Sequence, residues 1–279
     1  MKIQVTLMVE ESKELIAIGI LEHMKMKNAW QNGRIVLKGG TTVSRISARL
    51  TGRPLAICGR MTERGTVDGL HEMTDSHVLM IADNRSIPID DVYMERLMTL
   101  GPDDVYVCSP NAMDAYGNAV IMAGDQDGGE IGYALSVCYA NGVSVLIPAG
   151  IEKMVPGNLR DVVKKSGRKT KDISMGMAVG LVPMEGEIFT EIEAVQQLAR
   201  VECAAIGAGG IGMAQGSVTL DIWGDEQEVQ TVLEIVTALK KESLEVSGVK
   251  ETLVECKAPC IHCKDHVACW YKSGYMKEK

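Results

Sequence analysis

Aromatic side chains are scarce in this 279-residue chain, at 4% of the residues, and Phe189 is its single phenylalanine. Aliphatic side chains and 17 methionines must fill the core instead, because flexible thioethers adapt to irregular gaps. With 46% hydrophobic residues, the chain can still bury one large core or two modest ones. The scarcity of aromatics disfavours an aromatic ligand cage and a platform on which nucleic-acid bases stack.

An excess of positive charge and long apolar runs are also missing. The formal charge is −8, and nucleic-acid binding depends on Lys and Arg, so no nucleic-acid partner is expected. The longest apolar runs, 143–151 and 203–213, contain Gly or Pro and are shorter than the roughly 20 residues that span a bilayer. Residues 1–15 lack the pattern of an export signal. We therefore expect a soluble, cytoplasmic protein without a membrane partner.

Apolar segments alternate with segments of helical periodicity along most of the chain. Such an alternation is typical of a mostly parallel sheet covered by helices on both faces. The sequence thus predicts an α/β fold with a doubly wound, Rossmann-like sheet. Helices are predicted at 12–32, after residue 42, near 90, and at 129–141, 190–200 and 225–241; strands are predicted at 34–38, 54–58, 77–82, 104–108, 119–124, 143–148, around 204, and at 217–223.

A basic stretch at 162–171 marks a change of composition and a predicted domain boundary. The Rossmann-like domain is assigned to residues 1–170. A helix, two strands and a second helix predict a smaller α+β domain over 171–250. Residues 251–279 form a cysteine-rich tail.

A glycine-rich loop follows the predicted strand 34–38. It contains Gly39, Gly40, Thr41 and Thr42 directly before a helix, where backbone N–H groups and the helix dipole favour an anion. These four residues are therefore candidate ligand-binding residues. The alternative is that the glycines make a tight turn and a threonine caps the helix. The loop is neither a Walker A motif nor a dinucleotide-binding GxGxxG motif, so no NAD is expected.

Three motifs together resemble the superfamily of phosphosugar isomerases, CoA transferases and sugar-sensing repressor domains. The G-G-T-T loop matches its phosphate-, sugar- or CoA-binding loop, while SPNAMDAYGNAVIMAG and GVSVLIPAGIEKMVP are similar to its lactate-utilisation branch. The resemblance spans residues 10–157, with Met154 replacing the Ile or Val that ends the second motif. It implies the Rossmann-like fold, and it places Asn111 and Asp114 in the ligand cleft. The chain lacks the glutamate nucleophile motif of CoA transferases and the acidic signature of an isomerase base.

Acidic residues follow two of the predicted strands. Asp125 and Asp127 precede Gly128 and Gly129 at the start of a helix, where they could bind a ligand or act as a base. The alternative is that Asp127 caps the helix and Asp125 lies in a turn.

Glu152 and Lys153 follow the strand 143–148, where they could supply a proton-transfer group and an anion partner, or simply exposed charge. Asp127, Glu152 and Lys153 are the candidate catalytic residues. His71 and Glu72 are weaker candidates.

The tail contains the pattern C-x3-C-x2-C-x5-C, formed by Cys256, Cys260, Cys263 and Cys269. Closely spaced thiolates in a reducing compartment favour an iron–sulfur cluster or zinc. A disulfide or free thiols are the alternatives. Four protein ligands leave no open coordination position, so a structural or electron-transfer role is favoured. The other cysteines, at 58, 108, 138 and 203, are predicted to be buried thiols.

These features indicate a small-molecule enzyme that binds a phosphorylated or carboxylated metabolite. Two alternatives remain: a metabolite sensor that uses the same loop without chemistry, and an accessory protein that passes electrons through an iron–sulfur cluster. The sequence also allows a homo-oligomer.

Overall fold

The computed structural model of the chain describes residues 1–67, 75–242 and 244. Within these residues the α-helices are α1 (Val9–Leu21), α2 (Met24–Asn32), α3 (Thr41–Thr51), α4 (Tyr93–Leu97), α5 (Gly129–Asn141), α6 (Leu159–Lys165), α7 (Glu191–Leu198) and α8 (Glu226–Lys241). The strands are β1 (Lys2–Leu7), β2 (Ile35–Lys38), β3 (Arg60–Thr62), β4 (Gly65–Val67), β5 (Val78–Ala82), β6 (Arg85–Pro88), β7 (Val105–Val107), β8 (Ala112–Met113), β9 (Ala119–Ala123), β10 (Ser144–Pro148), β11 (Gly180–Met184), β12 (Glu187–Phe189), β13 (Val201–Gly209) and β14 (Ser217–Gly224). The fold is therefore α/β, as the sequence predicts.

Six strands form a mixed central sheet in the order β12-β10-β7-β2-β5-β6. The first four strands run parallel to one another, whereas β5 and β6 are antiparallel to their neighbours. In this sheet Ile35 of β2 pairs with Val105 on one side and with Ile81 on the other. A buried strand is apolar whichever way it runs, so the sequence of β5 could not indicate its direction.

Three predicted elements differ in the structure. The predicted helix 12–32 is interrupted at Glu22 and His23, and the ring of His23 accepts a hydrogen bond from the Lys25 N–H (3.3 Å) at the start of α2. Residues 54–58 do not form a strand. The predicted strand 119–124 is β9, which pairs with β8 and β11 in a separate antiparallel sheet.

A third sheet joins the two ends of the described chain. β1 pairs antiparallel with β14, from Lys2 opposite Trp223 to Leu7 opposite Val218, and β13 pairs with the other side of β14. The alternating sequence of β1 accounts for its position, because Val5 and Leu7 face the core between exposed residues. β12 also pairs with β10, and β11 pairs with β9, so strand pairing crosses the predicted boundary at residue 170 three times.

Buried charges fix α3 against α1. Arg45 on α3 donates to Glu14 (2.9 Å) and to Glu10 (2.6 Å) on α1, and the side chains of Arg45 and Glu14 are both buried. Paired, hydrogen-bonded charges can be buried where single charges cannot. This network therefore fixes α3, which follows β2 in the chain, against α1. No helix among the described residues is long and apolar enough to cross a membrane.

Candidate functional site

A cavity of about 710 Å³ opens where the parallel strands β2 and β7 end. Ligands of open α/β sheets commonly bind at this edge of the sheet. The wall includes the loop after β2, Ser109 to Asn111 after β7, the start of α5, and Lys153 after β10. The cavity therefore brings together residues from three strand ends and two helix starts.

The glycine loop is packed tightly beside this cavity. The Gly39 N–H donates to the His77 carbonyl (2.7 Å), and a Cβ on Gly39 would lie 2.3 Å from the Ala56 carbonyl oxygen. Gly40 is the N-cap residue of α3, and no side chain in the described part of the chain caps this helix. Gly39, Gly40 and Thr41 line the cavity, whereas Thr42 is fully buried and does not. The start of α3 therefore borders the cavity, and free backbone N–H groups at a helix start are able to bind an anion.

Ser109 is a cavity residue that the sequence did not single out. Its hydroxyl oxygen is buried and has no hydrogen-bond partner among the described residues. A Cβ on Gly40 would lie 3.8 Å from this oxygen, so the hydroxyl lies next to the start of α3. A buried hydroxyl without a partner is costly, and a bound anion would satisfy it. The neighbouring Asn111 also lines the cavity, where its side-chain oxygen accepts the Met122 N–H (2.8 Å).

The start of α5 forms the opposite wall. Gly128 and Gly129 line the cavity with φ angles of 84° and 66°, which only glycine adopts readily. Asp125 is exposed and also borders the cavity. Asp127 is also exposed, but it does not line the cavity. Its carboxylate accepts a hydrogen bond from the Gly129 N–H (3.2 Å). This contact is local to the start of α5, where Gly128 is the N-cap residue and no described side chain caps the helix.

Lys153 projects from a short 3₁₀-helix, Ile151–Lys153, into the cavity. Its ammonium donates to the Pro110 carbonyl (2.9 Å) and forms no salt bridge within the described part of the chain. Burial lowers the pKa of Lys153 to about 8; the negative charge of Glu152 opposes this shift and the positive charge of Lys13 adds to it. Lys153 is therefore partly unprotonated near neutral pH, unlike an ordinary lysine.

Glu152 lies outside the cavity lining. Its carboxylate folds over Gly150, where a Cβ would lie 1.8 Å from Oε2, and this oxygen is buried without a hydrogen-bond partner among the described residues. The Lys153 side chain therefore lines the cavity and the Glu152 side chain does not, although the two residues are adjacent in sequence.

Asp114 is buried beside the second sheet and does not line the cavity. Its carboxylate accepts N–H groups of Leu159 (2.8 Å), Tyr116 (2.9 Å) and Asn118 (2.9 Å). Burial alone would raise the pKa of Asp114, but these hydrogen bonds outweigh it and lower the pKa to about 2. In this structure Asp114 ties a turn to the start of α6.

Lys38 and His77 are further cavity residues that the sequence analysis missed. Lys38 pairs with Glu130 on α5 (2.7 Å), and its ammonium lies 4.7 Å from the centre of the Tyr93 ring. Burial lowers the pKa of His77 to about 4, so its ring is neutral at pH 7. A lysine at the end of an otherwise apolar strand was the available signal for Lys38.

The predicted metal ligands Cys256, Cys260, Cys263 and Cys269 lie outside the described residues, as do His71 and Glu72. Within the described residues no group of three or more His, Cys, Asp or Glu side chains could hold a metal ion. Of the remaining cysteines, Cys108 and Cys138 are buried thiols as predicted, whereas Cys58 and Cys203 are half-buried.

Comparison of the chain with family models, with curated proteins and with solved structures gives no match.

Proposed function

We propose that the protein is an enzyme that binds a small metabolite carrying a phosphate or carboxylate group in this cavity and transfers a proton with Lys153. The observation that carries the proposal is the start of α3, which no described side chain caps and which lies beside a Ser109 hydroxyl without a hydrogen-bond partner among the described residues. The volume of about 710 Å³ suits a small metabolite.

The anionic group would lie at the start of α3. Free N–H groups at the start of a helix carry partial positive charge and donate hydrogen bonds to phosphate or carboxylate oxygens. The hydroxyl of Ser109 would donate a further hydrogen bond, and Thr41 would contact the same group. Lys38, which forms an ion pair with Glu130, lines the same end of the cavity.

Lys153 would act as the acid or base. A catalytic pKa is most effective near the working pH, and the pKa of Lys153, at about 8, meets this condition. Lys153 has a backbone carbonyl as its partner, and no salt bridge from a described residue fixes either of its protonation states. Removal of a proton from carbon next to a carbonyl group is the reaction class that such a base supports.

Membership of the phosphosugar isomerase and CoA transferase-like superfamily is part of this proposal, together with a doubly wound Rossmann-like sheet and a separate second domain. In its support, β2 leads directly into Gly39–Thr42, and Asn111 and Lys153 from the two other matched segments border the same cavity. The four tail cysteines remain proposed ligands of an iron–sulfur cluster or zinc.

Hydrogen exchange from solvent tests the proposal without knowledge of the product. The protein would be incubated in D₂O with phosphorylated aldoses, phosphorylated ketoses and 2-hydroxy acids, and deuterium in the recovered compounds would be measured by mass spectrometry. We expect incorporation into at least one compound and at least a hundredfold slower incorporation by Lys153→Met. Lys164→Met, which changes an exposed lysine on α6, is the matched control.

Equal incorporation by Lys153→Met and the wild type would exclude Lys153 as the acid or base. Tight binding of a tested compound without any incorporation would favour a metabolite sensor instead.

A further inference from the structure

The short helix that carries Lys153 is held by a buried carboxylate on a neighbouring element. Glu191 is the first residue of α7 and is 0% exposed. α7 follows β12, which pairs in parallel with β10, so the start of α7 and the segment after β10 lie side by side. The Ala149 N–H donates to the Phe189 carbonyl (3.0 Å) and continues this pairing up to Ala149.

Both carboxylate oxygens of Glu191 accept the N–H of Ile151, at 3.2 and 3.0 Å. Ile151 opens the 3₁₀-helix Ile151–Lys153, in which the Lys153 N–H donates back to the Gly150 carbonyl (3.0 Å). Only Glu152 therefore lies between Ile151, whose N–H group is anchored, and Lys153, whose side chain enters the cavity. A displacement of Ile151 would move Lys153 with it.

We propose that Glu191 is a positioning residue for Lys153, because its buried carboxylate anchors the Ile151 N–H and so fixes the direction in which Lys153 enters the cavity. This inference rests on the proposed role of Lys153. Glu191 itself does not line the cavity, and it lies in a separate segment of the sequence.

The surroundings of Glu191 make its charge costly. Glu152, in the segment after β10, faces the Glu191 carboxylate. Cys203 faces it from β13, and Glu193 lies two residues further along α7. Burial raises the pKa of Glu191 to about 7, and the negative charge of Glu152 adds to this shift. An ionised carboxylate accepts a stronger hydrogen bond than a protonated one, so the Ile151 anchor should tighten as pH rises through neutrality.

Competitive acetylation with acetic anhydride tests this inference without a substrate. Only the unprotonated amine reacts, so the pH profile of labelling, read by mass spectrometry, gives an apparent pKa for each lysine. In the wild type we expect Lys153 to titrate near pH 8 with a second inflection near pH 7. Lys164 in the same samples is the internal control for an exposed lysine.

Glu191→Ala removes the acceptor, and Glu191→Gln keeps an acceptor but removes the charge. We expect Glu191→Ala to return Lys153 toward an ordinary lysine pKa, which lowers its labelling rate up to about a hundredfold below pH 8. Glu191→Gln should keep the inflection near pH 8 and lose the one near pH 7. Glu191→Asp should restore part of the wild-type profile.

A purely structural role for Glu191 would change the melting temperature and leave the Lys153 profile unaltered. An unaltered Lys153 profile in Glu191→Gln would overturn the proposal. If Glu191→Ala does not fold, the profile of Glu191→Gln alone tests the positioning role. Altered labelling without deuterium incorporation by the wild type would leave the positioning role intact and remove only the catalytic role of Lys153.

Discussion

Replacement of Glu191 by glutamine should change how the stability of the protein depends on pH. The ordinary carboxyl pKa of 4.5 is raised to about 7 in the fully buried Glu191. Between these two values the folded state keeps a proton that the unfolded chain has lost. The free energy of unfolding therefore falls as pH rises from 4.5 to 7 and is independent of this group above pH 7.

The size of the effect follows from the shift in pKa. Each pKa unit corresponds to 1.36 kcal/mol, so the ionisation of Glu191 costs the folded state roughly 3 kcal/mol at pH 8. Glutamine does not titrate and fills nearly the same volume. We expect Glu191→Gln to gain roughly 3 kcal/mol relative to the wild type between pH 4.5 and pH 8.

Urea denaturation at half-unit pH intervals would measure this difference. Other carboxyl groups titrate in both proteins, so the difference between the two curves isolates Glu191. Glu202→Gln, on the exposed side of β13, is the control and should run parallel to the wild type. If the Glu191→Gln and wild-type curves run parallel between pH 4.5 and 8, Glu191 does not have a raised pKa and the argument is refuted.

Three further substitutions test the fold, the ion pairs and the tail. Gly39→Ala should cost about 1–3 kcal/mol of stability, because its Cβ would lie 2.3 Å from the Ala56 carbonyl oxygen. Arg45→Met should cost about 3 kcal/mol, because it leaves the carboxylate of Glu14 buried with one partner fewer. Cys263→Ser should lower the iron or zinc bound per chain, measured by elemental analysis and visible absorption after anaerobic purification.

Each of these has a control elsewhere in the chain. Gly101→Ala adds a Cβ in open space, and Lys164→Met removes an exposed ion pair, so both should leave urea midpoints nearly unchanged. Cys203→Ser changes a half-buried thiol outside the tail and should keep any bound metal. If Gly39→Ala and Arg45→Met destabilise the protein no more than their controls do, the packing and ion-pair arguments are wrong. If the wild-type protein binds neither iron nor zinc, the proposed metal site is wrong.

Local patterns predicted the parts of the fold that depend on local sequence. The helix predicted at 129–141 is α5 with the same bounds, because Gly128 and Gly142 flank a continuous helical segment. The strand and helix over 217–241 were also predicted closely. The direction of β5 and the separate sheet of β9 depend on pairing with distant segments, which an apolar run does not encode.

The candidate site was predicted where it depends on the order of residues along the chain. Glycines directly after β2 were enough to place Gly39–Thr41 at the cavity. Ser109 and Glu191 lack such a signal, because their proposed roles depend on their positions beside Gly40 and Ile151, which lie in other segments. The separation of Glu152 from the cavity depends on its side-chain conformation, which adjacency to Lys153 does not determine.

Binding of inorganic phosphate tests the central claim, which is that the start of α3 is an anion site. Phosphate at ten times its Kd should add about 1.4 kcal/mol to stability and raise the melting temperature of the wild type. Thr41→Glu puts a carboxylate in the cavity at a position that favours acidic residues in helices, so it should fold and fail to respond to phosphate.

Met24→Glu places a glutamate at the equivalent first position of α2, which is exposed. This variant should be stabilised by phosphate as much as the wild type is. The account predicts phosphate stabilisation of the wild type and of Met24→Glu but not of Thr41→Glu. Equal stabilisation of all three proteins, or of none, would contradict it.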